Sequence, residues 1–171
     1  RRIRSVSNTR QITKAMQLVA ASKLRRAQET SLNARAYADA AANLLAVLSS
    51  VPETGYSPLF EQRPVHNALT ILVTSDRGLA GGYNSNVIRA FASLVAGQNA
   101  THSVACVGKY AGRYVARVSD VNELSAYPMD VKDISLELAQ PLLKESIELF
   151  LAGKVDVVNV VFTKFISTVR Q

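Results

Sequence analysis

The sequence predicts an α/β protein in which a long N-terminal helix, a coiled-coil shaft, precedes a Rossmann-like three-layer α/β domain. Three observations support this prediction. No Gly or Pro occurs between residues 1 and 51, strand-like and helix-like segments alternate after residue 66, and chain breakers cluster between these two regions. We therefore expect the helix over residues 1–51, a linker loop over 52–65 and the α/β domain over 66–171.

The N-terminal segment has the composition and the periodicity of a helix. It is rich in Ala, Leu, Arg, Lys and Gln, which are good helix formers. A helix of about 50 residues is about 75 Å long, whereas a compact domain of this size is only about 30–40 Å across. Part of the helix must therefore project beyond its domain. Its apolar stripe then needs a partner that buries it. The stripe contains Ile12, Met16, Val19, Leu24 and Ala27.

The usual cover for such a stripe is a second helix in a coiled coil. No other segment of the chain predicts a helix of comparable length. Lys23 and Arg26 fall near the seam positions, which favours a loose pairing over a regular zipper. Because the chain starts at Arg1 and its last predicted strand runs almost to Gln171, we expect a fragment whose C-terminal continuation supplies the partner helix.

After the linker, the predicted elements alternate in type. Residues 68–74 predict a buried strand, and residues 75–84 predict a Gly-rich turn. The breakers of the linker are Pro52, Gly55, Pro58 and Pro64. The remaining predictions are strands at 103–107 and 155–165, and helices at 85–95, 110–118 and 135–151, the last of which must accommodate Pro141.

Positive charge is concentrated at the N-terminus. The whole chain carries a net charge of +7, yet residues 1–36 alone contain nine Lys or Arg residues and one acid, Glu29. We expect this charge to lie along one face of the helix and to meet a partner of negative charge. Nucleic acid is one candidate, but no aromatic residue is interleaved with the cations before Tyr37. An acidic protein surface around the helix fits both the charge and the apolar stripe.

The composition excludes several other classes of protein. A single cysteine, Cys106, cannot form an internal disulfide, and the two histidines, His66 and His102, have no second ligand at a metal-binding spacing. No stretch approaches the ~18 apolar residues of a membrane span. We therefore expect no metal site and no cofactor.

The Gly-rich turn after the first strand raises the possibility of a nucleotide site. The spacing of Gly78, Gly81 and Gly82 matches neither the dinucleotide fingerprint nor a P-loop, and no Lys-Ser or Lys-Thr follows. A strand-to-helix turn that needs backbone freedom is favoured instead. Asp76 has no histidine near it in sequence, and Cys106 lies within an apolar strand, so a catalytic site is poorly supported.

Three segments resemble the gamma subunit of the rotary F-type ATP synthases. Residues 7–28, SNTRQITKAMQLVAASKLRRAQ, are similar to its N-terminal helix, and residues 75–84, SDRGLAGGYN, to its second signature. Residues 161–165, VFTKF, resemble its late strand. Two departures are evident: Ala80 stands where the family usually has Cys, and the family's long C-terminal helix is absent.

This resemblance implies a rotor subunit of the central stalk without a catalytic site of its own. It also implies that proton flow across a membrane turns the subunit and so drives ATP synthesis in the catalytic ring of alpha and beta subunits. Further partners would be the epsilon subunit and the membrane c-ring. The location would be peripheral, on the cytoplasmic face of a bacterial plasma membrane or the matrix or stromal face in an organelle.

By the same resemblance, six residues are expected to contact the beta subunits. Five match the part of the family helix that faces acidic beta-subunit loops, and one matches an arginine of the second signature. They are Lys14, Met16, Lys23, Arg25, Arg26 and Arg77. Two alternatives stay open at this point: a nucleic-acid-binding protein with a basic helix, and a small nucleotide-binding α/β enzyme.

Overall fold

The computed structural model describes residues 2–50, 57–128 and 136–166 of the chain. It divides into two compact units, residues 1–56 and 57–171. The sequence predictions for residues 1, 51–56, 135 and 167–171 lie outside the described residues.

The described residues of the first unit form one uninterrupted helix, which is followed by Ser50 in a turn. Helix α1 spans Arg2–Ser49, 48 residues, which corresponds to a length of about 72 Å. Two threonines inside it donate to carbonyls one turn earlier: Thr9 to Ser5 at 3.0 Å and Thr13 to Thr9 at 2.8 Å. No residue of α1 is buried. The predicted long N-terminal helix is therefore confirmed.

The second unit alternates strands and helices, as the sequence predicted. A short 3₁₀ turn at Pro58–Phe60 precedes the first strand. The strands are β1 (Asn67–Val73), β2 (Thr101–Val107), β3 (Val121–Tyr127) and β4 (Val157–Val161). The helices are α2 (Tyr83–Ala96), α3 (Lys109–Val115) and α4 (Leu136–Leu151), the last of which contains Pro141.

The four strands form one parallel sheet in the order β3-β2-β1-β4. β1 lies in the interior of the sheet, where Thr70 is opposite Val104 of β2 on one side and Asn159 of β4 on the other. Parallel strands need helical crossovers, and these cover both faces of the sheet. The predicted α/β class is confirmed.

Two apolar clusters hold the three layers together. On one face α2 and α3 pack on the sheet, with Phe91 and Val115 against Leu72 and Val104. On the other face α4 supplies Leu142, which packs with Leu69 and Ile71. The Phe91 and Tyr114 rings meet edge to face at 6.2 Å between centroids, a favoured aromatic geometry.

The structure departs from the sequence predictions at the two edges of the sheet. β3 is not predicted by the sequence, because of its seven residues only Val121 is buried and Asn122 to Leu124 are exposed. β4 ends at Val161, so the predicted strand over 155–165 is too long. An edge strand buries few side chains, which leaves β3 without the apolar signal on which strand prediction depends. The apolar run of β4, in contrast, continues past Val161, the last residue that pairs with β1.

Candidate partner-binding surfaces

The five predicted contact residues of α1 are all exposed. Met16 has 59% of its surface exposed, and the side chain of Arg25 has 83%. Each of these side chains is therefore accessible to a partner molecule. The five are Lys14, Met16, Lys23, Arg25 and Arg26.

These residues do not share one face of α1. Successive residues of an α-helix are rotated by about 100°, so Lys14 and Arg25, eleven positions apart, point in nearly the same direction. Met16 and Lys23, seven positions apart, also point together, but on the opposite side, because Met16 follows Lys14 by two residues. Arg26 lies between the two pairs. The expectation of a single charged face is therefore wrong, and the positive charge surrounds the helix.

The basic side chains of this region have little acid to neutralise them. Arg25 Nε donates to Glu29 Oε1 at 3.0 Å, an exposed pair one turn apart. Such a pair contributes about 0.3–0.5 kcal/mol. It is weak enough to be exchanged for a carboxylate of a partner.

Apolar side chains lie beside the charges on α1. Ile12, Met16 and Val19 are exposed and point to the same side of the helix as Lys23. A cationic residue within an apolar stripe suits a surface that meets both apolar and acidic groups. It does not suit a regular coiled-coil seam.

The sixth residue, Arg77, belongs to the second unit. It is exposed in residues 75–82, here named the turn loop, between the end of β1 and the start of α2. Arg77 thus lies in a different unit from the five residues of α1. Its backbone carbonyl accepts a hydrogen bond from Ser75 Oγ at 2.7 Å.

The first residues of the turn loop are held by α2. Asn84, which is buried, accepts the backbone N–H of Ser75 with its Oδ1 at 3.0 Å. Its Nδ2 donates to Ser75 Oγ at 2.8 Å. The buried amide therefore satisfies both backbone and side chain of Ser75, and fixes the point at which the chain leaves the sheet.

The turn loop is also held by α3. Asp76 Oδ1 accepts the backbone N–H of Lys109 at 2.8 Å, and Ser75 O accepts that of Tyr110 at 3.3 Å. Tyr110 lies so close to Gly78 that a Cβ at Gly78 would be 2.8 Å from its hydroxyl oxygen. Gly81 has φ +57°, in the left-handed region. These contacts agree with a strand-to-helix turn in which glycine is needed for its geometry.

The described residues supply little for nucleophilic or metal chemistry. Cys106 is buried, and burial, together with the nearby Glu123 carboxylate, raises the pKa of its thiol to about 12, so the reactive thiolate does not form near neutral pH. Among the described residues, no group of three or more His, Cys, Asp or Glu side chains could hold a metal ion. None of the helices in the described part of the chain is both long and apolar enough to cross a membrane.

Sequence reasoning missed two residues of the turn loop region. Leu79 is a positive-φ residue with a fully exposed side chain, and nothing in the local sequence indicates this conformation. Asn84 is the residue that ties the loop to α2. An Asn at the start of a helix was a signal for a capping role, but its partner nine residues upstream was not predictable from spacing.

Comparisons with known proteins all point to the same family. A family model described as ATP synthase matches residues 1–171. The ATP synthase gamma chain of Heliobacterium modesticaldum is 39% identical over 171 residues, covering 100% of this chain and 58% of that protein. The gamma chain of Synechococcus elongatus is 42% identical over 175 residues, with 99% and 55% covered. That of Chlorobaculum tepidum is 38% identical over 173 residues, with 97% and 59% covered.

This chain therefore spans a little over half of the length of these curated relatives. The match includes the whole of α1 and all four strands.

Proposed function

Because this chain belongs to the ATP synthase gamma chain family, we propose that it is the central-stalk rotor subunit of an F-type ATP synthase. Its rotation would couple proton flow across a membrane to ATP synthesis and hydrolysis in the ring of alpha and beta subunits. The observation that supports this most directly is α1: 48 residues long, without a buried residue, and basic on every side.

A rotor helix needs contacts that form and break at each step. The cations of α1 are exposed, and exposed ion pairs contribute only about 0–1 kcal/mol each. A helix with a different set of charged and apolar side chains on each side presents a different surface to each surrounding subunit. Such differential contacts can bias the subunits toward different states, which is the thermodynamic requirement for coupling.

The proposal assigns the six contact residues to the beta subunits. Lys14, Met16, Lys23, Arg25 and Arg26 would meet acidic loops around α1, and Arg77 would meet a beta subunit from the turn loop. Catalysis would take place in the beta subunits and not in this chain. The raised pKa of Cys106 and the engagement of Asp76 with the backbone of Lys109 support this non-catalytic role.

The remaining partners and the location follow from the same proposal. Residues 1–51 would act as the shaft helix, paired with a second helix of the complete subunit, and residues 52–65 as the linker. The α/β domain, residues 66–171, would contact the epsilon subunit and the membrane c-ring. The subunit would be peripheral, on the cytoplasmic face of a bacterial plasma membrane or the matrix or stromal face of an organelle.

The nucleic-acid alternative is disfavoured by the arrangement of charge on α1. A helix that lies in a DNA groove directs its cations toward one duplex. On α1, Lys14 and Arg25 point away from Lys23. The nucleotide-enzyme alternative is disfavoured by the turn loop, where the close approach of Tyr110 accounts for Gly78 and the positive φ accounts for Gly81.

A reconstitution experiment tests the proposal. The chain is mixed with alpha and beta subunits, and separately with duplex DNA, at low and at raised salt, and complexes are separated by size. We expect a stoichiometric complex with the subunits, and with DNA only weak binding that salt removes. Tight DNA binding without subunit binding would contradict the rotor function. Calorimetry with ATP and NAD tests the enzyme alternative. We expect no heat of binding from the chain alone, and a measurable heat would favour the enzyme alternative over the rotor function.

A further inference from the structure

The α/β unit begins with a segment that is tied to a distant part of the chain at two points. This entry segment, residues 57–66, follows the α1 unit in the chain and leads into β1. Its 3₁₀ turn lies against α4. Its hydrogen bonds to the end of α4 and to the loop before β4 join residues that are 87 to 90 positions apart. The segment therefore depends on tertiary contacts for its position.

Arg63 makes the first tie, at the end of α4. Its Nη2 donates to the carbonyl oxygen of Phe150 at 3.0 Å, and its guanidinium carbon lies 4.4 Å from the centroid of the Phe150 ring. The last carbonyls of a helix lack partners within the helix, and a cation is favourable there because of the helix dipole. Arg63 therefore meets Phe150 with both a charge-assisted hydrogen bond and a cation–π contact.

The end of α4 is shaped so that the guanidinium can lie close to it. The N–H of Gly153 donates to the carbonyl of Phe150 at 3.1 Å. The N–H of Lys154 donates to that of Leu149 at 3.0 Å, which completes a Schellman cap. A Cβ at Gly153 would lie 3.6 Å from Arg63 Nη1. Only 21% of the Arg63 side chain is exposed, so this long side chain is packed against the cap.

The second tie lies at the end of the entry segment. Asp156 Oδ2 accepts the backbone N–H groups of His66 and Asn67 at 2.9 and 2.8 Å. These bonds hold the start of β1 and not the residues before His66. Among the hydrogen bonds described for residues 57–65, that of Arg63 is the one that reaches the rest of the α/β unit.

The entry segment is also part of the covalent path from α1 to the sheet. A force that runs along the chain between α1 and β1 must pass through residues 57–66. A segment without noncovalent ties bends easily, whereas a segment bound to a helix end moves with the folded unit. When Arg63 is bound, such a force also enters the unit through α4, which packs on the sheet with Leu142.

We propose that Arg63 is a positioning residue, which fastens the entry segment to the end of α4 and so stiffens the connection through which torque passes between α1 and the α/β unit. This role rests on the rotor function proposed above. At a given torque, the twist of a connection is inversely proportional to its stiffness. A loose entry segment would therefore delay the response of one unit to the rotation of the other.

The test uses two substitutions of Arg63 in the complete subunit, reconstituted with alpha and beta subunits. Arg63→Met removes the cation and keeps an apolar stem, whereas Arg63→Lys keeps a cation that can reach Phe150. The first measurement is hydrogen exchange of the amides in residues 57–66. We expect exchange about tenfold faster in Arg63→Met, because the segment opens locally, and a smaller increase in Arg63→Lys. The matched control, Glu61→Gln, removes an exposed carboxylate 3.7 Å from Arg63 and should leave exchange unchanged.

The second measurement separates a positioning role from a merely structural one. A bead is attached to the α/β unit, the ring of alpha and beta subunits is fixed to a surface, and the angular fluctuation of the bead is recorded. We expect the angular variance to increase about twofold in Arg63→Met and to return toward the wild-type value in Arg63→Lys. A residue with only a structural role would lower the melting temperature and leave the fluctuation of assembled complexes unchanged.

The outcomes distinguish this role from the rotor function itself. If the wild type assembles, then unchanged exchange or unchanged fluctuation in Arg63→Met, or an equal change in Glu61→Gln, would overturn the role of Arg63 and leave the rotor function in place. If the wild type does not assemble with alpha and beta subunits, both are overturned. If Arg63→Met does not fold, Phe150→Leu removes the ring and keeps an apolar side chain. It should show a smaller change in the same direction, and no change would overturn the proposal.

Discussion

Helix α1 and the α/β unit use the same kinds of apolar residue for opposite purposes. In the α/β unit, Leu69, Leu72 and Val104 are fully buried between helices and sheet. In α1, Leu24 and Val19 are exposed, and good helix formers supply what local stability the helix has. The difference teaches that the α/β unit is built around its own core, whereas the apolar surface of α1 is available to other molecules.

The largest expected effect on stability comes from a substitution in the core of the α/β unit. Phe91→Ala removes a side chain that is almost completely buried and that meets the Tyr114 ring edge to face. We expect a loss of about 3–5 kcal/mol in the free energy of unfolding, because a cavity is left in the core. The measurement is urea denaturation followed by circular dichroism and tyrosine fluorescence.

The matched control for this variant is Leu24→Ala in α1, where the leucine is 50% exposed. Its expected effect is within about 0.5 kcal/mol. If Leu24→Ala destabilised the chain as much as Phe91→Ala, the contrast between the two regions would be lost.

A second prediction compares two glycines of the α/β unit that both have positive φ. A Cβ at Gly108 (φ +89°) would clash with the carbonyl oxygen of Thr74, whereas one at Gly81 (φ +57°) would meet no atom within 4 Å. Gly108→Ala should therefore cost roughly 2–4 kcal/mol, from backbone strain and a clash with main chain. Gly81→Ala should cost only about 1 kcal/mol.

Chemical denaturation of the two glycine variants measures this difference. Equal losses would mean that the junction between β1 and α3, where Thr74 Oγ1 accepts the N–H of Ala111 at 2.8 Å, relaxes freely around an added methyl group.

The third prediction concerns α1, where effects should appear on assembly and not on folding. Arg25→Glu with Arg26→Glu places two negative charges where acidic partner loops are proposed. We expect a loss of about 1–2 kcal/mol in binding to the alpha and beta subunits and impaired ATP-driven rotation in the full-length subunit. The control Glu29→Gln breaks the pair with Arg25 without reversing a cationic residue, and should leave coupling intact. Normal torque and coupling in the double variant would refute the charge role.

The smallest expected effect is a pH dependence at the start of the sheet. The pKa of Asp156 is lowered from its ordinary value of 3.8, mainly because its carboxylate accepts the backbone N–H of Asn67 and that of His66. A lowered pKa in the folded state means that this stabilisation is present above about pH 4 and is lost as the pH falls through the folded-state value. Asp156→Asn should lower stability at pH 7 and make unfolding less dependent on pH below 4.

Unfolding free energies measured from pH 3 to pH 7 on both proteins test this. If the free energy of unfolding had the same pH dependence in the wild type and in Asp156→Asn, the hydrogen bonds from His66 and Asn67 to the Asp156 carboxylate would not contribute to stability.

Much of the fold was predictable because its signals are local. Helix α1 follows from an unbroken run of helix formers, and β1 and β2 from apolar runs that the sheet buries on both faces. The packed state of Cys106 was predicted from its apolar neighbours and is confirmed. β3 was missed because an edge strand with Asn122 and Glu123 exposed has no such run.

The candidate surfaces also contain features that the sequence predicted and features that it did not. The residues of α1 and Arg77 were named from their resemblance to a family, and their roles stay predictions. That the charges surround α1 follows from the helix geometry once the helix is known to be continuous. The positive φ of Leu79 carried no local signal. The loop that contains it is held by bonds that Ser75 and Asp76 make with residues further along the chain, Asn84 and Lys109.

The sequence by itself determined the long basic helix, its separation from an α/β unit, and the strands that lie inside the sheet, because helix propensity, charge and apolar periodicity act over short stretches of chain. Only the tertiary structure decided where β4 stops, that β3 completes the sheet, and how the turn loop holds Leu79 in solvent. Those features depend on partners far away in sequence, such as Lys109 for Asp76 and Asn67 for Asp156, and they exist only when the fold has brought the partners together.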